Sequence, residues 1–409
     1  MKGHLFRELR VGVVLVALAT MGLSACGGGG GGSSRTIQVD NRSDDFAGSF
    51  LGYYPRDVTV KPGMTLKFHQ TWTGEPHSIS TGTLPTNGIK PVIALLRGIQ
   101  AGTKKDPGQP PPEYPQDLFE NKLPTLFGQS AGLDQDAAHP CYINTEAELP
   151  LDNKACTAAQ QKPVPFNGRQ AYYSSGFIPF QGSLANSYEL KIADDATPGT
   201  YFYYCNVHGV LMSGEITIKK DAKVESQASM NRRGQAEADH ISKPLLKALT
   251  KERAGKGQFK GNLAGSGDHT TDSVQGIANE FTPHTIQAKV GEKVTWTFIS
   301  GHTISFNVPP YTPIFKFDKD GNLGFNDALN KPAGGWPGAP AGHNSGHSNG
   351  PPPPAISVDA GNFDGSGGLK STGTDFNTGD KYSVTFTKKG TYPYACLIHP
   401  GMIGKVVVK

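Results

Sequence analysis

Two stretches of this chain close on the same unit: Gly199-Thr200-Tyr201-Phe202-Tyr203-Tyr204-Cys205-Asn206-Val207-His208, and Gly390-Thr391-Tyr392-Pro393-Tyr394-Ala395-Cys396-Leu397-Ile398-His399. Each ends in Cys-x-x-His, and a methionine follows shortly after, Met212 in one copy and Met402 in the other. Tyr201, Tyr203 and Cys205 alternate, as do Tyr392, Tyr394 and Cys396, so each set shares one face of a strand. The cysteine then sits at the strand end, and the chain turns to bring the histidine round. One thiolate, one imidazole and one thioether on a short loop form a donor set suited to copper. A chain carrying this pattern twice is constrained to build the same strand and loop twice.

The duplication reaches further upstream. Val58–Phe68 and Ile286–Trp296 both alternate with period two on either side of a glycine turn, at Gly63 and Gly291, and read as pairs of half-buried strands. A histidine follows each pair, His77 in Glu75-Pro76-His77 and His302 in Gly301-His302-Thr303. Ser187–Ile192 and Lys381–Phe386 alternate in the same way just before the tyrosine-rich strands. Each half therefore has its strands in one order, with a histidine early and Cys-x-x-His late. That is a β-sandwich plan used twice. Long insertions separate the two parts of each half: residues 82–170 hold two helix-like stretches, Ile89–Gln100 and Gln116–Phe127, and residues 309–375 are poor in pattern. Between the halves, Ala222–Asp239 and Pro244–Arg253 have helix-forming composition, and Gly255–Gly267 reads as loop.

The rest of the chain sets the context. At 409 residues, with 52 Gly and 31 Pro, it has room for two or three domains rich in short strands and loops. The formal net charge of +4 falls to +2 without residues 1–25, which gives no case for nucleic acid as a partner. Lys2, Arg7 and Arg10 precede an apolar run, Val11–Leu23, too short to span a bilayer and typical of a signal peptide. It closes on Leu23-Ser24-Ala25-Cys26, which resembles the bacterial lipobox and marks Cys26 for lipidation. Gly27–Gly32 with Ser33 and Ser34 would then be a flexible tether. Of the other four cysteines, Cys141 and Cys156 lie outside the repeated motif, and an oxidising compartment would let them form a disulfide.

A fourth donor for each site must come from elsewhere, and His77 and His302 hold matching positions. For one motif alone, a buried cysteine and a core methionine would be the plainer reading. Two copies with two matching histidines favour coordination. Two imidazoles and a thiolate with a distant methionine describe a blue-copper site. On these residues the chain resembles the cupredoxin family, in particular its plastocyanin-like and amicyanin-like members, over residues 50–80 and 187–218 and again over 281–307 and 381–408. The resemblance implies an all-β fold of two tandem cupredoxin-type Greek-key β-sandwiches, with long loop insertions and a partly helical connector. It implies two copper ions, one held by His77, Cys205, His208 and Met212, the other by His302, Cys396, His399 and Met402. The gap of two residues between His399 and Met402 is similar to amicyanin-like loops; the gap of three between His208 and Met212 is nearer to azurin-like ones. The family usually places Asn after the first histidine, where this chain has Ser78 and Thr303. A hydroxyl there can stand in for part of the amide's bonding.

The expected organisation is a signal peptide (1–25), a lipid-anchor tether (26–34), a first domain (35–220, insertion 82–170), a connector (221–272) and a second domain (273–409, insertion 309–375). The expected role is electron transfer by an extracytoplasmic protein anchored by its lipid to a bacterial membrane, at the periplasmic face or the cell surface, without catalysis. Its partners would be redox proteins of a respiratory or photosynthetic chain. The alternatives are a copper enzyme of nitrite-reductase or multicopper-oxidase type, or a copper delivery or storage protein. The chain has no His-x-His pair, which argues against a trinuclear cluster, and no methionine cluster of the kind transfer proteins use. His343 and His347, in a Gly- and Pro-rich stretch, are weaker metal candidates.

Overall fold

The computed structural model describes residues 34–409 apart from 106, 108–110, 127–132, 149–155, 179–185, 258–259, 266–275, 300, 311–312, 341–342 and 344–353. The expected signal peptide, Cys26 and nearly all of the tether lie outside the described residues, as does His347.

The first half contains β1 (Ser34–Val39), β2 (Gly48–Phe50), β3 (Tyr53–Tyr54), β4 (Asp57–Val60), β5 (Thr65–Gln70), β6 (Ser78–Thr81), β7 (Cys141–Ile143), β8 (Tyr172–Phe177), β9 (Ser187–Lys191), β10 (Gly199–Cys205) and β11 (Gly209–Ile218). They form two sheets, ordered β3-β1-β5-β9 and β4-β11-β10-β6-β8-β7. Period-two alternation drives the stacking. Ile37, Val39, Leu66 and Phe68 from one sheet meet Val58, Val60, Tyr201, Tyr203 and Ile216 from the other in a single core. Each such aliphatic or aromatic side chain contributes about 1.5–3 kcal/mol on burial.

The second half contains β12 (Asn262–Ala264), β13 (Gly276–Ala278), β14 (Phe281–Thr282), β15 (Thr285–Ala288), β16 (Lys293–Phe298), β17 (Ser305–Phe306), β18 (Phe315–Phe317), β19 (Leu323–Phe325), β20 (Ser357–Phe363), β21 (Lys370–Ser371), β22 (Lys381–Phe386), β23 (Gly390–Ala395) and β24 (Ile403–Val408). Its sandwich sheets run β14-β12-β16-β22-β20 and β15-β24-β23-β17-β21. This is the order of the first half, except that β20 adds an edge strand to one sheet and β7 has no counterpart in the other. The parallel pairings also match, β1 with β5 and β12 with β16, then β4 with β11 and β15 with β24. Even a tyrosine bond recurs: Tyr201 Oη donates to Thr197 O and Tyr392 Oη to Lys388 O, at 2.8 and 2.7 Å. The fold is all-β, with two cupredoxin-type sandwiches.

Some expectations need correction. Gly255–Gly267, read as loop, contains β12, which completes the second sandwich by pairing with β14 and β16. The pattern-poor residues 309–375 contribute β20, which lies parallel to β22 in the sandwich. The two helix-forming stretches of the connector are one helix, Gln227–Arg253, with Pro244 inside it. Proline costs that helix one backbone bond, but Ile241, Leu245 and Leu249 bury a stripe against Phe46, Phe50 and Tyr54 and carry it through. Of the helices expected in the first insertion, Ile89–Gln100 is divided between Thr83–Ile89 and Ile93–Gln100, and among the described residues of Gln116–Phe127 a short helical stretch leads into a wide turn at Leu118–Lys122.

The insertions are packed structure. In the first half, Ile89, Val92, Leu96, Phe119 and Leu123 cover Phe202 and Tyr204, which point away from the sandwich core. A further cluster joins Leu126, Ala138 and Phe177 of the first half to Ile314, Phe315, Leu323 and Leu397 of the second. The halves are also laced by an antiparallel ribbon, β2 with β13. At the end of the connector helix Arg253 pairs with buried Glu280 at 2.7 Å.

Cys141 and Cys156 form a disulfide within the first insertion, 15 residues apart. A loop of that length is worth about 3 kcal/mol through restriction of the unfolded chain. Replacing both cysteines with alanine is expected to lower the stability of the oxidised protein by about 2–3 kcal/mol in chemical denaturation. An unchanged midpoint and slope would contradict this.

Candidate metal centres

In the first half, β10 ends at Cys205, whose side chain is fully buried, and the short turn into β11 brings His208 back over it. His77 arrives from the segment just before β6. Cys205 Sγ lies 3.5 Å from His208 Nδ1 and 3.9 Å from His77 Nδ1. In the second half, Cys396 Sγ lies 3.8 Å from His399 Nδ1 and 3.9 Å from His302 Nδ1, and the two Nδ1 atoms are 3.1 Å apart. Among the described residues these are the two groups of three or more His, Cys, Asp or Glu side chains converging closely enough to hold one ion. Met212 and Met402 are also buried, each in the same core cluster as its cysteine.

The separations suit a metal. An ion about 2.3 Å from sulfur and about 2.0 Å from nitrogen, at the centre of a trigonal plane, needs S···N distances of about 3.7 Å. The donors also match in charge. Burial works against ionising Cys205, but hydrogen bonds from His208 and His77, and their charge, hold its thiol well below the ordinary range. Cys396 is held low in the same way by His302 and His399. Burial would lower His208 and His399, yet bonds to their cysteine and to Glu75 push them up to about 10 and about 9. Each thiolate thus requires positive charge beside it. In the metal-free chain imidazolium supplies that charge, and a soft cation can supply it directly.

The loop carrying each cysteine is pinned by a hydroxyl. The backbone N–H of Asn206 donates to Ser78 Oγ at 2.8 Å, and that of Leu397 donates to Thr303 Oγ1 at 2.8 Å. The residue after each upstream histidine is therefore bonded to the residue after each cysteine, which fixes the two donors relative to each other. Backbone N–H groups also point at the sulfurs, Val207 at Cys205 and both Thr303 and Ile398 at Cys396, each at 3.4 Å.

The histidines are oriented through their other nitrogen, as metal-binding imidazoles commonly are. His77 Nε2 lies 3.0 Å from Asp40 Oδ2, and both side chains are fully buried. Asp40 in turn accepts from Thr73 Oγ1 and the Phe50 backbone N–H, at 2.5 and 2.8 Å. Burial would lower His77, but Asp40 and Cys205 raise it overall; His302 is lowered by burial, with Cys396 opposing. The position matching Asp40, directly after β12, is Gly265 at φ +109°, where a Cβ would lie 2.9 Å from His302 Nε2. His208 Nε2 lies 2.6 Å from Glu75 Oε2, and the other oxygen, Oε1, lies 3.6 Å from His399 Nε2. Burial would raise Glu75, but the two histidines hold it well below the usual carboxylate range.

Asp40 and Glu75 are the polar partners that sequence reasoning missed. Glu75 stood two residues before a predicted ligand, and Asp40 directly after an alternating strand; neither has a counterpart of its own type in the other half, so the repeat did not flag them. Among the described residues, the remaining histidines have other partners. His343, weighed as a metal candidate, is buried against Asp380 at 2.8 Å and fixes the loop that Asp380 caps. His69, His139 and His240 bond Ser187, Asn322 and the Ala101 carbonyl. A cavity of about 660 Å³ lies beside Tyr142, Tyr173 and Tyr188, away from both clusters, whereas one of about 340 Å³ reaches Cys396, His399 and Met402.

Two stacked sheets with a buried Cys/His/His cluster at one end of the strands define a cupredoxin-type domain. Residues 269–409 match the plastocyanin/azurin family of copper-binding proteins. Similar solved structures include a Cu(I) amicyanin variant, 20% identical over 31% of this chain and 70% of that one, with a TM-score of 0.17. Another is the purple cupredoxin from Nitrosopumilus maritimus, 20% identical over 32% of this chain and 84% of that one, with a TM-score of 0.15. No curated protein matches the chain in sequence.

Removing a pinning hydroxyl leaves a backbone N–H unpaired beside the cysteine, at a cost of about 1–3 kcal/mol. Ser78→Ala and Thr303→Val are each expected to weaken copper retention in their own half by about 10–100-fold. Competition with a chelator measures this; equal affinities in variant and parent would show that the hydroxyls do not position the ligands.

Proposed function

We propose that this protein is an extracytoplasmic, lipid-anchored electron carrier with two type 1 copper centres. The observation that carries the reading is the convergence, once per half, of a buried cysteine sulfur and two imidazole Nδ1 atoms at S···N distances of 3.5–3.9 Å. His77, Cys205, His208 and Met212 would hold one ion, and His302, Cys396, His399 and Met402 the other. Copper bound there supplies a one-electron Cu(I)/Cu(II) couple. The chain's own part is to keep the donors still. Ser78 and Thr303 tie the cysteine loops to the histidine segments, Asp40 and Glu75 fix the imidazole rings, and the two stacked sheets hold sulfur and nitrogen at one spacing. A donor set that cannot rearrange suits both oxidation states equally, so an electron enters and leaves with little reorganisation.

Removal of residues 1–25 with lipidation of Cys26 would hold the sandwiches at a bacterial membrane surface through the glycine tether. Among the described residues no helix is long and apolar enough to cross a membrane. The partners on this reading are redox proteins of a respiratory or photosynthetic chain, and nucleic acid has no part.

Cys205→Ser and Cys396→Ser are each expected to abolish the intense visible absorption of one copper and leave the other's intact. Survival of both bands in either variant would remove that cysteine from the ligand set. Cys26→Ser is expected to move the protein from the detergent-extracted membrane fraction to the soluble fraction of its bacterial host. Unaltered fractionation would refute the lipid anchor.

A further inference from the structure

We infer that Glu75 is the link between the two centres: its carboxylate joins His208 of the first half to His399 of the second, so that electrons pass between the halves inside the molecule. The inference rests on the copper reading above and adds to it a residue and a route.

The geometry is specific. Each ring turns Nδ1 towards its own cysteine and Nε2 towards the same carboxylate. Oε2 meets His208 at 2.6 Å and Oε1 faces His399 at 3.6 Å. From Cys205 to Cys396 the route therefore runs through a ring, a carboxylate and a second ring, and its widest gap outside the metal-binding clusters is 3.6 Å. The segment bearing Glu75 is shaped for this contact. Gly74 has φ +117°, and a Cβ there would come 2.4 Å from the Ile398 carbonyl oxygen and 3.2 Å from His399 Cδ2. Any residue other than glycine would lift Glu75 off the second half. An ordinary ion pair between domains does not require backbone contact of that kind, and exposed ones contribute little. Here Glu75, His208 and His399 are at most 20% exposed, so the interaction is only weakly screened.

The carboxylate also acts on both metals as a fixed negative charge. It favours the more positive, oxidised state, and it acts more strongly on the first half because it is nearer His208. In the exchange itself one electron leaves Cu(I) in one half and reduces Cu(II) in the other. No bond forms or breaks, and no proton has to move.

The test uses the full chain loaded with two coppers. One centre is reduced by a flash-generated one-electron donor, and redistribution is followed by absorbance and rapid-freeze electron paramagnetic resonance. Glu75→Gln keeps the shape and removes the charge. The expected result is that both intense bands persist and internal transfer slows at least tenfold. The first-half couple should also shift upward by about tenfold in its reduction equilibrium (about 59 mV for one electron), more than the second. Gly74→Ala, which keeps the charge and displaces the loop, should slow transfer as well. Unchanged transfer and unchanged potentials in Glu75→Gln would overturn the link, as would loss of one band, which would leave Glu75 with the fixing of the ligand rings as its whole role. Absence of intense bands in the parent protein would defeat the copper reading itself and is seen before any variant is made.

Discussion

A thiolate sealed inside a protein must have positive charge within a few ångströms, and the structure is arranged around meeting that need twice. Burial alone would keep Cys205 and Cys396 as neutral thiols. Two imidazoles aimed at each sulfur reverse that preference. The reversal works only if the rings cannot swing away. A hydroxyl bond from the histidine segment to the cysteine loop prevents this in both halves, with Ser78 in one and Thr303 in the other. The sandwiches serve as the rigid frame on which that short bond can act.

The two halves share this plan and differ in its surroundings. In the first, Phe202 and Tyr204 lie under helices of the insertion, so both faces of β10 are buried. In the second, Thr391 and Pro393 occupy the outward positions of β23 and are exposed. Asp40 supports His77 from within the first half, where the second has Gly265. These differences are laid over one strand order, the pattern expected of a duplicated domain whose copies have taken separate parts. The ribbon of β2 with β13, the long connector helix and the cluster around Phe177 and Leu397 hold the copies together, so that one carboxylate can reach both ligand loops.

Much of this was legible in the sequence because alternation and ligand spacing are local signals. The tyrosine-rich strands, the paired strands about Gly63 and Gly291, and the converging histidines all follow from short-range pattern. β12 was hidden because three residues, Asn262, Leu263 and Ala264, are too few to show a period, and their extended form is imposed by the neighbours β14 and β16. The unbroken connector helix was hidden by Pro244, whose local cost is overridden by burial of Ile241, Leu245 and Leu249. Glu75 was hidden for a different reason. Its meaning lies in a contact with His399, which only the packing of one half on the other creates.

The most direct measurement is a copper titration of the metal-free chain, following the intense sulfur-to-copper absorption as metal is added. The account predicts growth of that absorption up to two equivalents, with both coppers reducible by one electron each. Saturation at one equivalent, or copper uptake without that absorption, would contradict it.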